Sequence, residues 1–485
     1  VFWYFRSGNL FLGDGVTLAK VVRTDEAFRH YVGGWAGHIT SHQVLDYWTG
    51  RQLHKILSRF AGLESYQSIA LRSCVAGGIF VFAVLEIGRF LFADTGRRLA
   101  LFAAVFTTGA MQLFFGYVET YSLATAFLAL FCLSALLYAY GKCRIWMPVL
   151  LLAFCASLHL LTLGAGLALL IAYIHRSRSR GRFNSLEFMA IAAVPLLVAG
   201  VYFIIFQSMG FSFSEIFLPA ARKEYEGIFF LGLERKGYLL ERYTLFSFSH
   251  LIDIANEILL VSPFGLFLCL VFLPPFLKSK YRRAPEPWIL FFSPAIYLAV
   301  TLTAAPLLGA RKDWDVFAPP WIFVTMLGAY LAIRTVSSDR ILGRIFIIVF
   351  FVSLMSTVPW IYSNARVDLQ KYLKELGTAE MYRQEGLEVR ALAHYERALK
   401  ISFTPELAYK IARLQMKAGK IEDAAALLDR AIREENRSEL ALFLEQEDSH
   451  FALGSIYLSR GQPDRAIAEL QEALALWTFR KNETF

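Results

Sequence analysis

Five polar stretches in this chain carry side chains that can do chemistry. Asp14 stands in "LGDG", where flanking glycines let the backbone bend and leave a carboxylate uncovered. A carboxylate so placed can take a proton from an acceptor hydroxyl, or it can close a tight turn or cap a helix. Glu119 stands in "FGYVETYSL". It can bind a divalent cation, hold a sugar hydroxyl, or pair with Arg or His. His159 in "SLHLLTLG" is a packing residue or a ligand. His250 in "SFSHLIDIANEILL" shares a helical face with Asp253 and Glu257, the pattern of a helix lying in a membrane interface. The stretch "ARKDWD" puts Arg311 and Lys312 beside Asp313 and Asp315. The two cations suit a phosphate or diphosphate, and the carboxylates can orient them or hold a sugar. A salt-bridged turn anchored by Trp314 in an interfacial belt is the plainer reading.

These residues need a scaffold, and composition says which. Of the 485 residues 56% are hydrophobic, 43 are Phe and only 18% are charged. A soluble domain carries about 25% charged residues. The apolar excess lies in runs near 1–12, 67–93, 98–115, 121–141, 146–174, 187–206, 257–277, 287–308, 316–333 and 342–362. Runs of about 20 such residues span hydrocarbon as helices, so the chain reads as a multi-pass, all-α membrane protein. The first run is taken as a partial span, with no cleavable signal peptide.

The net charge of +9 sits largely in short loops such as "RSRSRGR" (176–182) and "KSKYRR" (278–283). That distribution fixes topology, and no basic patch interleaved with aromatics points to nucleic acid. Arg97 and Arg98, Lys142 and Arg144, both loops, and Arg334 to Arg344 are assigned to the inner side. The run 146–174 is basic at both ends. Two short helices meeting near 157–164 keep both ends inside and put His159 at the outer tip. The expected total is about eleven spans. On this topology the outer side receives loops 13–65 and 207–256, Glu119, His159, the "ARKDWD" stretch and everything after about residue 365. The five cysteines read as small buried hydrophobes with no disulfide framework.

From about residue 366 the composition turns to Ala, Leu, Glu, Arg and Lys in helical periodicity. "ALAHYERAL" (391–399), "AAALLDRAI" (424–432) and "AIAELQEAL" (466–474) align as second helices of three helix–turn–helix units. Ala398, Ala431 and Ala473 match at steps of 33 and 42, the longer step absorbing an insertion at 437–450. "LGSIYLSRGQPDRA" (453–466) is close to the tetratricopeptide pattern. Such a solenoid offers a concave surface to a protein partner or simply braces the membrane domain.

In combination the chain resembles the GT-C superfamily of polytopic, polyprenyl-phosphate-sugar-dependent glycosyltransferases. The resemblance rests on "LGDGVTLAKVV", "QVLDYWTGRQLHKIL", "FGYVETYSLATAF", "SLHLLTLG", "FSFSHLIDIANEILLVSP" and "ARKDWDVFAPP", in that order over about residues 8–335. With the repeats added, the chain also resembles transmembrane O-mannosyltransferases that carry tetratricopeptide units. The resemblance implies a membrane domain over 1–365 and a repeat domain over 366–485 on the periplasmic or lumenal side. Asp14 would act as general base, and Arg311 and Lys312 would stabilise the leaving phosphate. Glu119, His159, His250, Asp313 and Asp315 would contact donor or acceptor. The implied partners are a polyprenyl-phosphate sugar, an acceptor protein or glycolipid, and membrane lipid. Several members carry an Asp-Glu pair where this chain has one Asp, and Glu119 lacks a full Asp-x-Asp. A divalent cation (Mg or Mn) is therefore left open, with "DWD" as a late carboxylate pair. Two other readings stand beside this one. One is an O-antigen ligase or polymerase type of enzyme, with "ARKEYEG" (221–227) and "LERKGYLLERY" (233–243) as its Arg-bearing loop. The other is a non-catalytic scaffold whose repeats recruit a partner.

Overall fold

The computed structural model describes the chain except residues 11–12, 35–42, 212–230, 232, 234–243, 305–312, 436–445 and 484–485. The elements among the described residues are helical, apart from a lone bridge residue at Ala304. They form two compact units, one of residues 1–221, 256–302 and 314–365, the other of residues 222–255, 303–313 and 366–485.

Among the described residues, seven helical segments are long and apolar enough to cross a membrane, or eight if one bent pair is a single span. They are Ser65–Leu91, Tyr121–Ala139, Leu160–Arg180, Ser185–Ser208, Glu286–Thr303, Trp314–Thr335 and Asp339–Ala365. The bent pair, Phe248–Val261 and Gly265–Leu277, turns through 90°. Pro263 sits at that corner and has no N–H with which to continue the helix.

The expected eleven spans shrink for identifiable reasons. Residues 1–10 form no helix; they lie along the bundle as a turn and extended chain. Ser7 N–H donates to the Phe115 carbonyl at 2.7 Å and Gly8 N–H to that of Asn364 at 2.9 Å, while the Phe2 ring meets Phe115 edge-on. The run 98–115 divides into the helix Thr95–Phe106 and a 3₁₀ turn Gly109–Phe114. At the break the Thr107 hydroxyl donates back to the Ala103 carbonyl at 2.6 Å, and Thr357 Oγ1 donates to the Thr107 carbonyl at 2.7 Å. A hydroxyl that bonds back to the preceding turn competes with the helix ladder. The run 146–174 is interrupted, as expected, at His159, between the helix Trp146–Leu158 and the 3₁₀ turn Leu160–Ala165.

Trp314–Thr335 is apolar on all sides and buried along nearly its whole length, the mark of a central helix. Glycines let a neighbour approach it closely. A Cβ on Gly328 would stand 2.7 Å from the Gly265 carbonyl, and one on Gly265 would meet Thr325 Oγ1 at 2.7 Å. Small residues at helix contacts are the usual means of tight packing where no hydrophobic force drives association.

The C-terminal part holds three helix hairpins: Leu369–Gln384 with Glu388–Ile401, Pro405–Lys417 with Ile421–Glu435, and Gln446–Ser459 with Pro463–Glu483. Gly386, Gly419 and Gly461 turn the three hairpins at φ of 75°, 76° and 66°. Left-handed backbone after a helix end is where glycine costs least. The second helices present Ala398, Ala431 and Ala473 inward, all buried.

Candidate functional site

Gly13 is the point on which the site turns. Its φ is +74°, and a Cβ there would stand 2.7 Å from Asp315 Oδ2, 2.7 Å from Tyr117 Oη and 2.9 Å from Glu119 Oε1. No other residue type fits, because the backbone is left-handed and three oxygens fill the space a side chain needs. Asp14 follows it as the N-cap of the short helix Gly15–Val21, yet its side chain makes no capping bond. The cap expected of an Asp in such a turn is therefore absent, and the carboxyl is left over for another use.

The Asp14 backbone N–H donates to Glu119 Oε1, and the Thr120 N–H donates to Glu119 Oε2 at 3.0 Å. Tyr117 Oη donates to Asp315 Oδ2 at 3.1 Å, and the Tyr117 ring packs against Trp314 at 5.0 Å. Glu119 and Asp315 are buried, whereas the Asp14 side chain reaches the surface. Burial, the charge of Asp315 and the charge of Asp14 hold the Glu119 carboxyl well above the usual range. The Tyr117 hydroxyl is raised too, first by burial and then by Asp315 and Glu119. Asp14 is crowded by protein on its inner side, and that loss of water raises its carboxyl as well. Carboxylates set close together titrate apart, and the buried one keeps its proton longest. Glu119 is the buried member of the pair, held by two backbone N–H groups, and Asp14 the accessible one.

A buried ion pair holds the Glu119 turn in place. Arg72, inside the span Ser65–Leu91, donates through Nη2 to Asp46 Oδ2 at 2.7 Å and to the Glu119 carbonyl at 3.2 Å. Through Nη1 it donates to the Asp46 carbonyl at 2.6 Å. Burial raises the Asp46 carboxyl to about 6 against the opposing pull of Arg72. Arg51, on the same helix Val44–Ala61, donates to the Val22 and Arg23 carbonyls, both at 3.0 Å, and secures the end of the short helix behind Asp14.

The remaining sequence candidates divide. His159 stands at the break in the run 146–174 and is buried, with Tyr121 and Tyr297 ring centroids both at 5.2 Å. The expected helix around His250 exists as Phe248–Val261, with His250 and Glu257 buried and Leu251, Ile252 and Leu259 exposed. Two of its polar side chains are thus covered while several apolar ones are bare; Asp253 is half-buried and Asn256 exposed. His250 itself falls in the other unit, as does Asp313, which is also buried. Arg311 and Lys312 lie outside the described residues, as do most residues of the two Arg-bearing loops at 221–227 and 233–243. Both Glu119 oxygens face backbone amides, and among the described residues no group of three His, Cys, Asp or Glu side chains is arranged to hold a metal ion.

Gly13, Asp46, Arg72 and Tyr117 were not singled out from the sequence. Arg72 had a signal: it stands deep in the run 67–93 with no acidic neighbour one turn away, whereas the run's other cation, Arg89, has Glu86 beside it near the helix end. An intramembrane charge marks a pairing or a site by default.

The comparisons with known proteins bear on the C-terminal part. Residues 409–480 match the tetratricopeptide repeat. The match covers most of the second and third hairpins, and the first shares their turn glycine and inner alanine. No curated protein matches the chain. The chain is thus a multi-pass membrane protein with a tetratricopeptide region, and such repeats suggest protein–protein interaction.

Proposed function

We propose that the membrane unit is a GT-C-type glycosyltransferase that moves a sugar from a polyprenyl-phosphate donor to an acceptor hydroxyl on the periplasmic or lumenal face. The observation that carries this reading is the meeting of Asp14, Glu119 and Asp315 around Gly13, at the position the family resemblance assigns to the base. Asp14 takes the proton of the acceptor hydroxyl. The acceptor oxygen forms its bond to the anomeric carbon as the bond from that carbon to the phosphate oxygen breaks. The displacement is of the inverting type, and polyprenyl phosphate leaves with the electron pair. Glu119 fixes the Asp14 backbone, and Tyr117 with Asp315 walls the turn from below. The family resemblance assigns to Arg311 and Lys312 the positive charge that a leaving phosphate needs in a poorly solvated place.

The test is transfer from a radiolabelled polyprenyl-phosphate sugar in membranes bearing wild type or Asp14→Asn. Asn keeps the shape and removes the base. Transfer by wild type and its loss in the variant, with equal insertion, is the expected result. Undiminished transfer removes Asp14 from the mechanism.

A second reading is favoured by the tetratricopeptide match alone: a membrane scaffold that recruits a partner protein. Wild-type protein inactive with every donor tried, but pulling down a defined partner through residues 409–480, would favour it.

A further inference from the structure

A slot of about 350 Å³ opens among the helices Gly265–Leu277, Glu286–Phe292, Ala295–Thr303 and Trp314–Thr335. Its walls are aliphatic and aromatic, Leu273, Phe276, Trp288, Leu298, Trp321 and Leu327 among them. A cavity with such a lining holds no water, and leaving it empty forfeits packing on every wall. In a bilayer the available filling is a lipid chain. The helix Gly265–Leu277 also bares Phe267 and Leu270, and the wall residue Phe291 is itself partly exposed, a surface that suits hydrocarbon.

One end of the slot is strongly cationic. The wall residue Leu277 is followed directly by "KSKYRR", residues 278–283. Arg282 Nη1 donates to the Leu277 carbonyl at 3.3 Å, and the wall residue Trp288 donates through Nε1 to the Arg282 carbonyl at 3.0 Å. Lys278, Lys280, Arg282 and Arg283 are exposed, and among the described residues none of them sits in an ion pair. Arg334 adds a fifth cation one turn beyond the wall residue Leu331, its guanidinium 4.9 Å from the Tyr281 ring centroid. Glu286, next to the wall residue Pro287, is buried and accepts from Tyr140 Oη at 2.9 Å, so the exposed cations of the 278–283 turn leave this end with an excess of positive charge. An apolar slot that ends so complements a molecule with a hydrocarbon chain and an anionic head. The distribution of basic loops puts this end at the cytoplasmic face, where anionic lipid is the resident species of that description.

We propose that this slot is a binding site for an anionic phospholipid, one acyl chain within the slot and the headgroup phosphate on the "KSKYRR" turn. The assignment is independent of the transfer reaction, whose residues surround Gly13.

The full-length protein, purified in detergent and re-equilibrated with equal phosphatidylglycerol and phosphatidylcholine, is examined by native mass spectrometry for retained lipid. Wild type is expected to keep phosphatidylglycerol over phosphatidylcholine by about tenfold or more, the scale set by a few basic residues near a lipid surface. The double variant Lys280→Gln/Arg283→Gln, altered only at exposed side chains, is expected to bring the ratio near one. Leu273→Trp, which fills the slot from a half-open position, is expected to lower retention of both lipids. Equal retention of the two lipids by wild type overturns the proposal, as does an unchanged preference in the double variant or unchanged retention in Leu273→Trp. Preferential retention of an added isoprenoid phosphate over phosphatidylglycerol overturns it too.

Discussion

The membrane bundle and the C-terminal hairpins handle opposite charges in contrasting ways. In the bundle Asp46 and Arg72 meet at 2.7 Å with almost no exposure of either side chain. In the repeats Lys410 and Glu406 meet at 2.8 Å with side-chain exposures of 37% and 60%. The distances are alike and the consequences differ. Water weakens the exposed pair and solvates either partner left alone, so it contributes about 0–1 kcal/mol. Removing one partner of the buried pair strands a charge. A buried charge therefore indicates a position that must be held, and this one holds the Glu119 turn. An exposed pair indicates solubility.

Between these extremes stand two His–Glu pairs within the hairpins. His394 Nδ1 meets Glu375 Oε2 at 2.6 Å, and His450 Nδ1 meets Glu469 Oε2 at 2.6 Å, the partners 19 positions apart in both. The two pairs occupy equivalent places with the residues exchanged: Glu on the first helix and His on the second in one hairpin, the reverse in the other. The middle hairpin has Ala408 and Leu427 in those places. Exchange without loss of the contact says that the pairing, rather than either residue, is what the hairpin uses.

The largest expected effect tests the contrast at the site. Asp14→Asn should lower transfer by about 10²–10⁴, the span of general-base catalysis, while the protein still inserts and unfolds at the same temperature. Arg72→Met comes next. It should cost about 3–5 kcal/mol, read as a large fall in the unfolding temperature of the detergent-purified protein, because Asp46 loses its buried partner and must either take up a proton or stay charged in a dry place, while the Glu119 and Asp46 carbonyls lose their donor. A milder outcome, near that of an exposed pair, would erase the distinction drawn above.

The pH dependence sharpens it. The folded carboxyl of Asp46 titrates at about 6, above the ordinary 3.8, so the folded state holds more protons between those values. Its contribution to stability is full below about pH 4 and declines as pH rises to about 6. Thermal unfolding of wild type and Asp46→Asn should converge at the acidic end, with the wild type losing more stability as the pH is raised. Smaller again, His394→Ala or His450→Ala should cost about 1 kcal/mol each, since both pairs are only partly buried. Smallest, Lys410→Ala should stay within about 0.5 kcal/mol in the same measurement.

Much of the fold was legible because it is local. Apolar runs marked the long helices, and the repeat register appeared in Ala398, Ala431 and Ala473 before the turn glycines at the same steps were seen. Span counting failed where a short-range polar group outcompeted the hydrophobic pattern, as Thr107 does in the run 98–115. Hydropathy records the cost of placing a segment in lipid but not the hydroxyl that breaks its ladder. At the site, Asp14, Glu119 and Asp315 were each visible as anomalous carboxylates. Gly13 and Tyr117 were not, because a glycine in a turn and an aromatic at a boundary are ordinary until something is packed on them.

The sequence by itself determined a multi-pass, all-helical membrane region and a repeat region, since both follow from periodicities of a few residues and from the exclusion of unpaired backbone from lipid. Only the tertiary structure decided which carboxylates meet. Asp14 and Glu119 are 105 positions apart and Tyr117 and Asp315 are 198 apart. Contacts over such separations are set by how helices pack, through glycines that allow close approach and one buried Arg that must find its partners. No local pattern encodes that choice.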